Sequence, residues 1–229
     1  MGGTALGSDM TAGRTAVVPG SIGVFGGTFD PIHIAHLAVA EEAAEVLGLE
    51  SVIFVPAGEP PHKPGRPISL GADRLAMVKL AIADNDRFSV SRLELDRAGP
   101  SYTVDTLRSM HASAAAAGNV ANLTLVVSAE AFLGLMTWRD PREILELARI
   151  VVAPRDGYPD AGPEFLATHL PELAERAMFL DSPRLRLSAS ELRGRAATGR
   201  SLRYLVPDAV AAYIDDHALY RNSRRNSRS

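Results

Sequence analysis

Short apolar runs alternate along the chain with segments in which apolar residues return every three or four positions. The runs predict buried strands, and the periodic segments predict helices with one apolar face. The predicted strands cover residues 21–25, 51–56, 88–95, 123–127, 149–153 and 177–180. The predicted helices cover residues 37–47, 69–84, 102–117, 141–148, 190–197 and 207–217. This alternation of strand and helix is typical of an α/β fold.

The strand segments lack a clean alternation of apolar and polar residues, so both of their faces are expected to be buried. We therefore predict a Rossmann-like parallel sheet with helices on both faces and a small helical portion at the C-terminal end. Ligands bind to such a sheet beyond the carboxyl ends of its strands. Candidate chemistry is accordingly expected in the loops after Phe25, Pro56, Leu95, Val127 and Ala153.

The length of 229 residues and the 46% of hydrophobic residues are enough for one domain with a sizeable core. We expect a single domain over residues 21–220, a flexible leader over 1–20 and a disordered basic tail over 221–229. A nucleic-acid or partner role of the tail stays open. The net charge of -3 argues against a surface built to bind nucleic acid or an anionic membrane.

The chain contains no cysteine, which excludes disulfides, thiolate metal sites and thiol nucleophiles. No apolar run approaches the length of a membrane helix, and the first twenty residues lack the apolar core of a signal peptide. A cytoplasmic protein is expected, and an oligomer is compatible with the sequence. Arginine supplies 22 of the 24 basic residues, so a phosphate-binding site would consist mainly of guanidinium groups.

The loop after the first predicted strand, from Gly26 to His36, reads GGTFDPIHIAH. Its glycines allow the backbone to approach a ligand closely, and the helix start that follows attracts anions. His33 and His36 are three residues apart, so their imidazoles are expected on one side of the first helical turn. The pattern is neither the dinucleotide-binding GxGxxG nor a P-loop. Half of a zinc site without a nearby third ligand, or two structural histidines, are the alternatives to a phosphate site.

This stretch resembles the signature of the nucleotidyltransferase superfamily, whose members transfer a nucleoside monophosphate from a nucleoside triphosphate. Its sequence is most similar to that of the bacterial nicotinate-nucleotide adenylyltransferases, and the resemblance extends over about residues 21–220. Ala35 stands where the family signature has glycine before the second histidine. One added methyl group would then face the nucleotide.

Further segments match the same family in the same order. The PPHK segment at residues 60–63 resembles its basic phosphate loop and otherwise reads as an exposed proline-rich loop. The GPSYTVDTL segment at residues 99–107 resembles the part that lies beside the pyridine ring. Read from its residues alone, it is a turn that enters a helix, with Ser101 or Thr103 as the capping residue. Trp138, the only tryptophan, stacks on that ring by resemblance and is otherwise a half-buried surface anchor.

Near the C-terminal end, Ser188, Ser190 and Arg193 place two hydroxyls at a predicted helix start and a guanidinium one turn later. They resemble the family segment that holds the β- and γ-phosphates of ATP, and such groups are suited to phosphate oxygens. Ser128 and Glu130 depart from the family, which usually has glycine and aspartate at these positions. This difference concerns the fit of the adenosine pocket.

The resemblance implies that ATP and nicotinate mononucleotide react to give deamido-NAD and pyrophosphate by direct in-line displacement. Magnesium is implied as a cofactor bound chiefly through the ATP phosphates, with no metal ligand from the protein. The implied catalytic residues are His33, His36 and Arg193. The implied ATP contacts are Gly26, Gly27, Thr28, Phe29, His33, His36, Lys63, Ser128, Glu130, Ser188, Ser190 and Arg193. The implied mononucleotide contacts are Thr28, Lys63, Tyr102, Thr103, Trp138 and Arg155.

Three other functions are compatible with parts of the pattern. A related nucleotidyltransferase could use phosphopantetheine or a cytidylyl acceptor, against which the segment 101–107 and Trp138 argue. A non-catalytic nucleotide-binding protein would account for the departures at Ala35, Ser128 and Glu130. A hydride-transferring Rossmann enzyme is disfavoured because the glycine fingerprint is missing.

Overall fold

The computed structural model describes residues 20–60, 68–159, 162–182 and 184–221. Six strands form one sheet: β1 (Ser21–Gly27), β2 (Ser51–Pro56), β3 (Phe88–Val90), β4 (Asn122–Ser128), β5 (Ala148–Ala153) and β6 (Ala177–Phe179). The α-helices are α1 (Ile34–Leu47), α2 (Gly71–Ala81), α3 (Thr103–Ala116), α4 (Ala129–Leu133), α5 (Pro141–Leu147), α6 (Glu164–His169), α7 (Ala189–Ala197) and α8 (Asp208–Asp216). Short 3-10 helices cover Leu135–Thr137 and Pro171–Arg176. Most residues of the predicted leader and tail, and Lys63, lie outside the described residues.

The strands are all parallel and lie in the order β3-β2-β1-β4-β5-β6. From β1, the strands β2 and β3 are added on one side of the sheet. The chain then returns to the centre, where β4 pairs with β1, and β5 and β6 are added on the other side. The order therefore reverses between β1 and β4, and their carboxyl ends form the crevice in which parallel α/β sheets bind ligands. The prediction of a parallel sheet is confirmed, and the register of this junction runs from Ser21 opposite Asn122 to Val24 opposite Leu125.

Two hydrophobic cores cover the two faces of the sheet, because successive side chains of a strand point to opposite sides. Phe25 and Phe54 belong to the core beneath α1, α2, α7 and α8. Their neighbours Val24 and Val55 belong to the core beneath α3, α4 and α5. Burial on both faces explains why the strand sequences carry no alternation of apolar and polar residues.

The strand predicted over residues 88–95 is shorter than expected. Only Phe88–Val90 pair with β2, because β3 is the edge of the sheet and the chain then turns inward. This turn buries the carboxyl group of Glu94, which accepts a hydrogen bond of 2.7 Å from Thr106 Oγ1 on α3. Burial raises the pKa of Glu94 above its ordinary value.

No helix in the described part of the chain is long and apolar enough to cross a membrane.

Candidate active site

The loop after β1 is shaped by the close contact of Gly27 with Phe29. Phe29 is buried, with a positive φ of 50°. A Cβ atom on Gly27 would lie 2.8 Å from the Phe29 ring, so only glycine leaves room for this ring. A Cβ on Gly26 would meet no protein atom within 4 Å. The first glycine therefore faces open space, and the second is required by packing.

The two histidines lie side by side at the start of α1. His33 is the residue before the first helical turn, and its backbone N–H donates to His36 Nδ1 at 3.2 Å. The two imidazole rings are stacked, with centroids 3.7 Å apart. The His36 ring also stands edge-on to Phe29, at 5.2 Å between centroids. The expectation that both imidazoles share one side of the first turn is confirmed.

His33 is neutral in the folded protein at neutral pH. Its side chain is buried, with 5% of the residue exposed, and Nδ1 has no hydrogen-bond partner among the described residues. Burial, and secondarily the positive charge of Arg155, lower the pKa of His33 to about 4. A neutral imidazole can donate a hydrogen bond to a phosphate oxygen from the nitrogen that carries its proton. This residue can thus recognise an anion without bringing a full positive charge to it.

Arg193 joins the C-terminal part of the chain to this loop. Its Nη1 donates to the carbonyl oxygen of Asp30 at 2.6 Å, although the two residues are 163 positions apart. Its Nη2 donates to Ser190 Oγ at 3.1 Å on the same helix turn. Ser188 caps this helix, because its hydroxyl accepts from the backbone N–H of Glu191 at 3.2 Å. The structure therefore brings the serine–arginine pair of α7 next to the loop that carries both histidines.

Arg74 and Asp30 are two buried charges that the sequence reasoning missed. Arg74, on α2, is 1% exposed and donates to the carbonyl oxygens of Thr28 at 2.9 Å and Ser69 at 3.1 Å. Its pKa is lowered by burial and raised by Asp30, which is itself 2% exposed. Arg74 occupies the same helical stripe as Val78, and an arginine in an apolar stripe is a sequence signal for a buried cation.

An ion pair joins the start of α4, directly after β4, to the loop after β5. Arg155 Nε lies 3.0 Å from Glu130 Oε2, and both side chains are partly exposed. A hydrogen bond to Glu130 also raises the pKa of the Tyr158 hydroxyl. Ser128 ends β4 and caps α4, since its hydroxyl accepts from the N–H of Ala131 at 3.3 Å. Glu130 and Arg155, which the sequence assigns to different substrates, thus contact each other here, and their ligand roles stay predictions.

The segment after residue 99 follows a different pattern from the one expected at its helix start. Tyr102 occupies the capping position of α3, and no side chain caps this helix. Ser101 turns back instead, and its hydroxyl accepts from the N–H of Gly58 at 2.9 Å in the loop after β2. The prediction that Ser101 or Thr103 caps the helix was therefore wrong. The side chain of Ser101 instead ties two loops together at the carboxyl edge of the sheet.

Trp138 lies close to this segment. It ends the 3-10 helix Leu135–Thr137 and packs, half-buried, against the core beneath α3. The neighbouring guanidinium of Arg139 lies over the Tyr102 ring, 4.9 Å from its centroid. The structure thus brings together the two segments that the sequence assigns to the pyridine ring. Stacking on a ligand and simple surface anchoring are both compatible with the half-buried position of Trp138.

Guanidinium and imidazole groups predominate in the described part of the site. Within residues 20–60, 68–159, 162–182 and 184–221, no three His, Asp or Glu side chains are grouped so as to hold a metal ion. Two guanidinium groups lie near the histidine pair instead. The positive charge of Arg155 acts on His33, and Arg193 donates a hydrogen bond to Asp30 in the same loop. Guanidinium and imidazole groups beside a helix start suit phosphate oxygens.

Comparison with known proteins places the chain among nucleotidyltransferases. Residues 24–195 match the family model described as cytidylyltransferase-like. A relative from Roseiflexus sp. (strain RS-1), named "Probable nicotinate-nucleotide adenylyltransferase", is 48% identical over 200 residues, which cover 87% of this chain and 98% of the relative. A relative of the same name from Roseiflexus castenholzii is 45% identical over 212 residues, 93% of this chain and 100% of the relative.

A solved structure shares the fold at low sequence identity. Plasmodium falciparum nicotinic acid mononucleotide adenylyltransferase complexed with NaAD is 14% identical, with a TM-score of 0.70. The match covers 87% of this chain and 97% of that chain. The likeness supports the parallel α/β architecture.

Proposed function

Because the chain belongs to the cytidylyltransferase-like family and, within it, to the nicotinate-nucleotide adenylyltransferases, we propose that it transfers the adenylyl group of ATP to nicotinate mononucleotide. The products are deamido-NAD and pyrophosphate, and the reaction belongs to NAD biosynthesis. The observation that carries this proposal is the contact of Arg193 with Asp30, beside the stacked His33 and His36. It joins two distant parts of the chain at the crevice between β1 and β4, where a triphosphate would lie.

The reaction is a direct displacement at the α-phosphorus of ATP. A phosphate oxygen of the mononucleotide attacks in line and forms the new P–O bond, while the bond to the β-phosphate oxygen breaks and pyrophosphate leaves with that electron pair. No covalent enzyme intermediate is required. The protein contributes mainly by positioning the reactants and by stabilising charge on the oxygens in the transition state.

His33 and His36 are proposed to hold the α-phosphate. Their rings lie stacked at the amino-terminal end of α1, where the helix dipole attracts anions. A neutral His33 donates a hydrogen bond that strengthens as charge grows on the phosphoryl oxygens. Burial of this imidazole keeps it from forming a tight ion pair with the substrate before the reaction.

The leaving pyrophosphate is assigned to the arginine and serine of α7. Arg193 and Ser190 are already hydrogen-bonded to each other, so their groups are arranged before the nucleotide binds. Ser188 fixes the start of the helix that carries them. Lys63, from the basic loop after β2, is proposed to assist. Gly26, whose face is open, allows the nucleotide to approach the backbone.

The mononucleotide is assigned to the other side of the crevice. Thr103 and Trp138 are proposed to select the pyridine ring, by polar contact and by stacking respectively. Arg155 is proposed to contact the mononucleotide, and Glu130 the ribose of ATP. Arg155 Nε and Glu130 Oε2 lie 3.0 Å apart, so the two groups proposed to contact different substrates are neighbours.

Magnesium is proposed to enter with the triphosphate. The described residues offer guanidinium and imidazole groups rather than a carboxylate cluster, which fits an ion held by phosphate oxygens and water. The ion, when bound, neutralises part of the phosphate charge. The task of the protein side chains is then to orient the triphosphate.

The test is a pyrophosphate-release assay with ATP and a panel of acceptors. We expect rapid release with nicotinate mononucleotide and much slower release with nicotinamide mononucleotide, phosphopantetheine or a cytidylyl acceptor. ATP binding without release from any acceptor would support a non-catalytic nucleotide-binding protein instead. Release that is fastest with phosphopantetheine would assign the chain to another branch of the superfamily.

A further inference from the structure

Asp30 places a buried carboxylate at the centre of the loop between β1 and His33. Its Oδ1 accepts a hydrogen bond of 2.7 Å from the hydroxyl of Tyr220, and its Oδ2 accepts one of 3.2 Å from the N–H of Ser69. Nη1 of Arg193 lies 3.9 Å from Oδ2. A buried carboxylate requires such partners, because its charge is otherwise strongly disfavoured away from water.

The same residue holds Arg193 through two different groups. The short hydrogen bond of 2.6 Å runs from Arg193 to the backbone carbonyl of Asp30, whereas its carboxylate attracts the guanidinium from 3.9 Å. The Arg193 side chain is 22% exposed, so part of it remains accessible to solvent and to a ligand. The direction in which this guanidinium points therefore depends on how strongly the Asp30 carboxylate attracts it.

Tyr220 comes from beyond α8, at a positive φ of 65°, and reaches Asp30 across 190 positions of sequence. Its ring packs against the core beneath α1 and α2. Burial, and secondarily the negative charge of Asp30, raise the pKa of the Tyr220 hydroxyl far above its ordinary value. The hydroxyl therefore stays protonated and keeps donating to the carboxylate throughout the neutral range.

We propose that Tyr220 is a positioning residue for ATP, which acts through Asp30 on the orientation of Arg193. The Tyr220 hydroxyl satisfies Oδ1, so Arg193 is not drawn fully onto the carboxylate and keeps donor capacity for the β- and γ-phosphates. Without this hydroxyl, the guanidinium 3.9 Å away becomes a direct partner of the carboxylate and turns away from the nucleotide. This inference rests on the proposed function, which assigns Arg193 to the pyrophosphate.

The test compares the binding of ATP with that of AMP, which lacks the two phosphates assigned to Arg193. Loss of one hydrogen bond to a charged group is expected to raise the Kd of Tyr220→Phe for ATP about tenfold. The Kd for AMP should stay within about twofold. Isothermal titration calorimetry on the full chain measures both. A loosened structure would weaken the binding of ATP and AMP alike. The ratio of the two Kd values therefore distinguishes a positioning role of Tyr220 from a role in folding.

Tyr213→Phe is the matched control. Tyr213 is another tyrosine of the C-terminal region whose hydroxyl donates to a carboxylate, that of Asp73 on α2, at 2.9 Å. This hydrogen bond joins α8 to α2 and does not involve the loop after β1. We expect Tyr213→Phe to bind both ATP and AMP like the wild type. A loss for ATP as large as that of Tyr220→Phe would overturn the proposal.

A double-mutant cycle tests the route through Arg193. Arg193→Ala alone should raise the Kd for ATP. Adding Tyr220→Phe to Arg193→Ala should change this Kd by less than about twofold. Additive losses would overturn the proposal. If Tyr220→Phe shows no cooperative unfolding, Asp30→Asn, which keeps the side-chain shape and removes the charge that draws Arg193 away, is measured in its place. Its ratio of ATP Kd to AMP Kd should stay within about twofold of the wild-type ratio, and a selective loss of ATP binding of about tenfold would overturn the proposal.

Failure of this inference is distinguishable from failure of the proposed function. Pyrophosphate release by the wild type from ATP and nicotinate mononucleotide tests the function alone. Wild-type release combined with equal Kd values of wild type and Tyr220→Phe would overturn only the role of Tyr220.

Discussion

The depressed pKa of His33 makes the stability of the protein depend on pH in a definite way. Folding lowers this pKa from its ordinary value of 6.5 to about 4. Below about pH 6.5 the unfolded chain binds a proton at His33 that the folded protein does not bind, so the free energy of unfolding decreases as the pH falls. At about 1.4 kcal/mol per unit, the loss reaches about 3 kcal/mol near pH 4. Above about pH 7 this imidazole contributes no pH dependence.

Replacement by asparagine isolates this contribution from the titration of other groups. Urea unfolding at about pH 7 and about pH 4 gives the free energy of unfolding of wild type and His33→Asn under both conditions. We expect the wild type to lose about 3 kcal/mol more than the variant. His169→Asn, which removes an exposed imidazole, is the control and should keep the wild-type difference. Equal losses for wild type and His33→Asn would refute the assignment of a buried, neutral His33.

Three further predictions concern single residues of the site. His36→Ala should lower kcat by about 10²–10³, as the loss of one donor to the transition state does, and a value within about threefold of wild type in the pyrophosphate assay would contradict its role. Trp138→Ala should raise the KM for nicotinate mononucleotide more than that for ATP, whereas equal increases would argue against stacking. Gly27→Ala should cost about 1–3 kcal/mol in urea unfolding, because its Cβ would meet the Phe29 ring at 2.8 Å. Gly26→Ala, whose Cβ meets nothing within 4 Å, is its control and should cost less; equal costs would contradict the packing argument.

The central strands could be predicted from the sequence because their signal is local. The run at residues 51–56 is apolar from its second residue onward, and β2 has the same limits. The predicted strand 88–95 was too long because its second half is fixed by the contact of Glu94 with Thr106, which no local pattern reveals. The helix α4 was not predicted, since five residues are too few for a period and the Ser128 cap defines its start.

The candidate site divides in the same way. His33 and His36 are neighbours on one helical turn, so their spacing alone predicts that the rings meet. That Arg193 would lie near the two histidines was expected only from the resemblance and the order of its motifs, and the contact of Arg193 with Asp30 was not predicted. The hydrogen bond from Tyr220 to Asp30 could not be predicted, because it joins residues 190 positions apart without any pattern at either end. The ion pair of Glu130 with Arg155 could not be predicted either, because it forms only once β4 and β5 are adjacent in the sheet.

The two longest of these links also bear on when the protein acquires its activity. During synthesis the amino-terminal residues emerge first, so a ribosome-bound nascent chain has β1 and both imidazoles long before Arg193 and Tyr220 appear. Contacts of such high contact order form late, because closing a long loop costs entropy that only the finished tertiary structure offsets. An incomplete polypeptide therefore carries the histidine loop without its distal anchors. On the roles proposed for Arg193 and Tyr220, tight capture of ATP would be reserved for the molecule whose carboxy-terminal segment has docked.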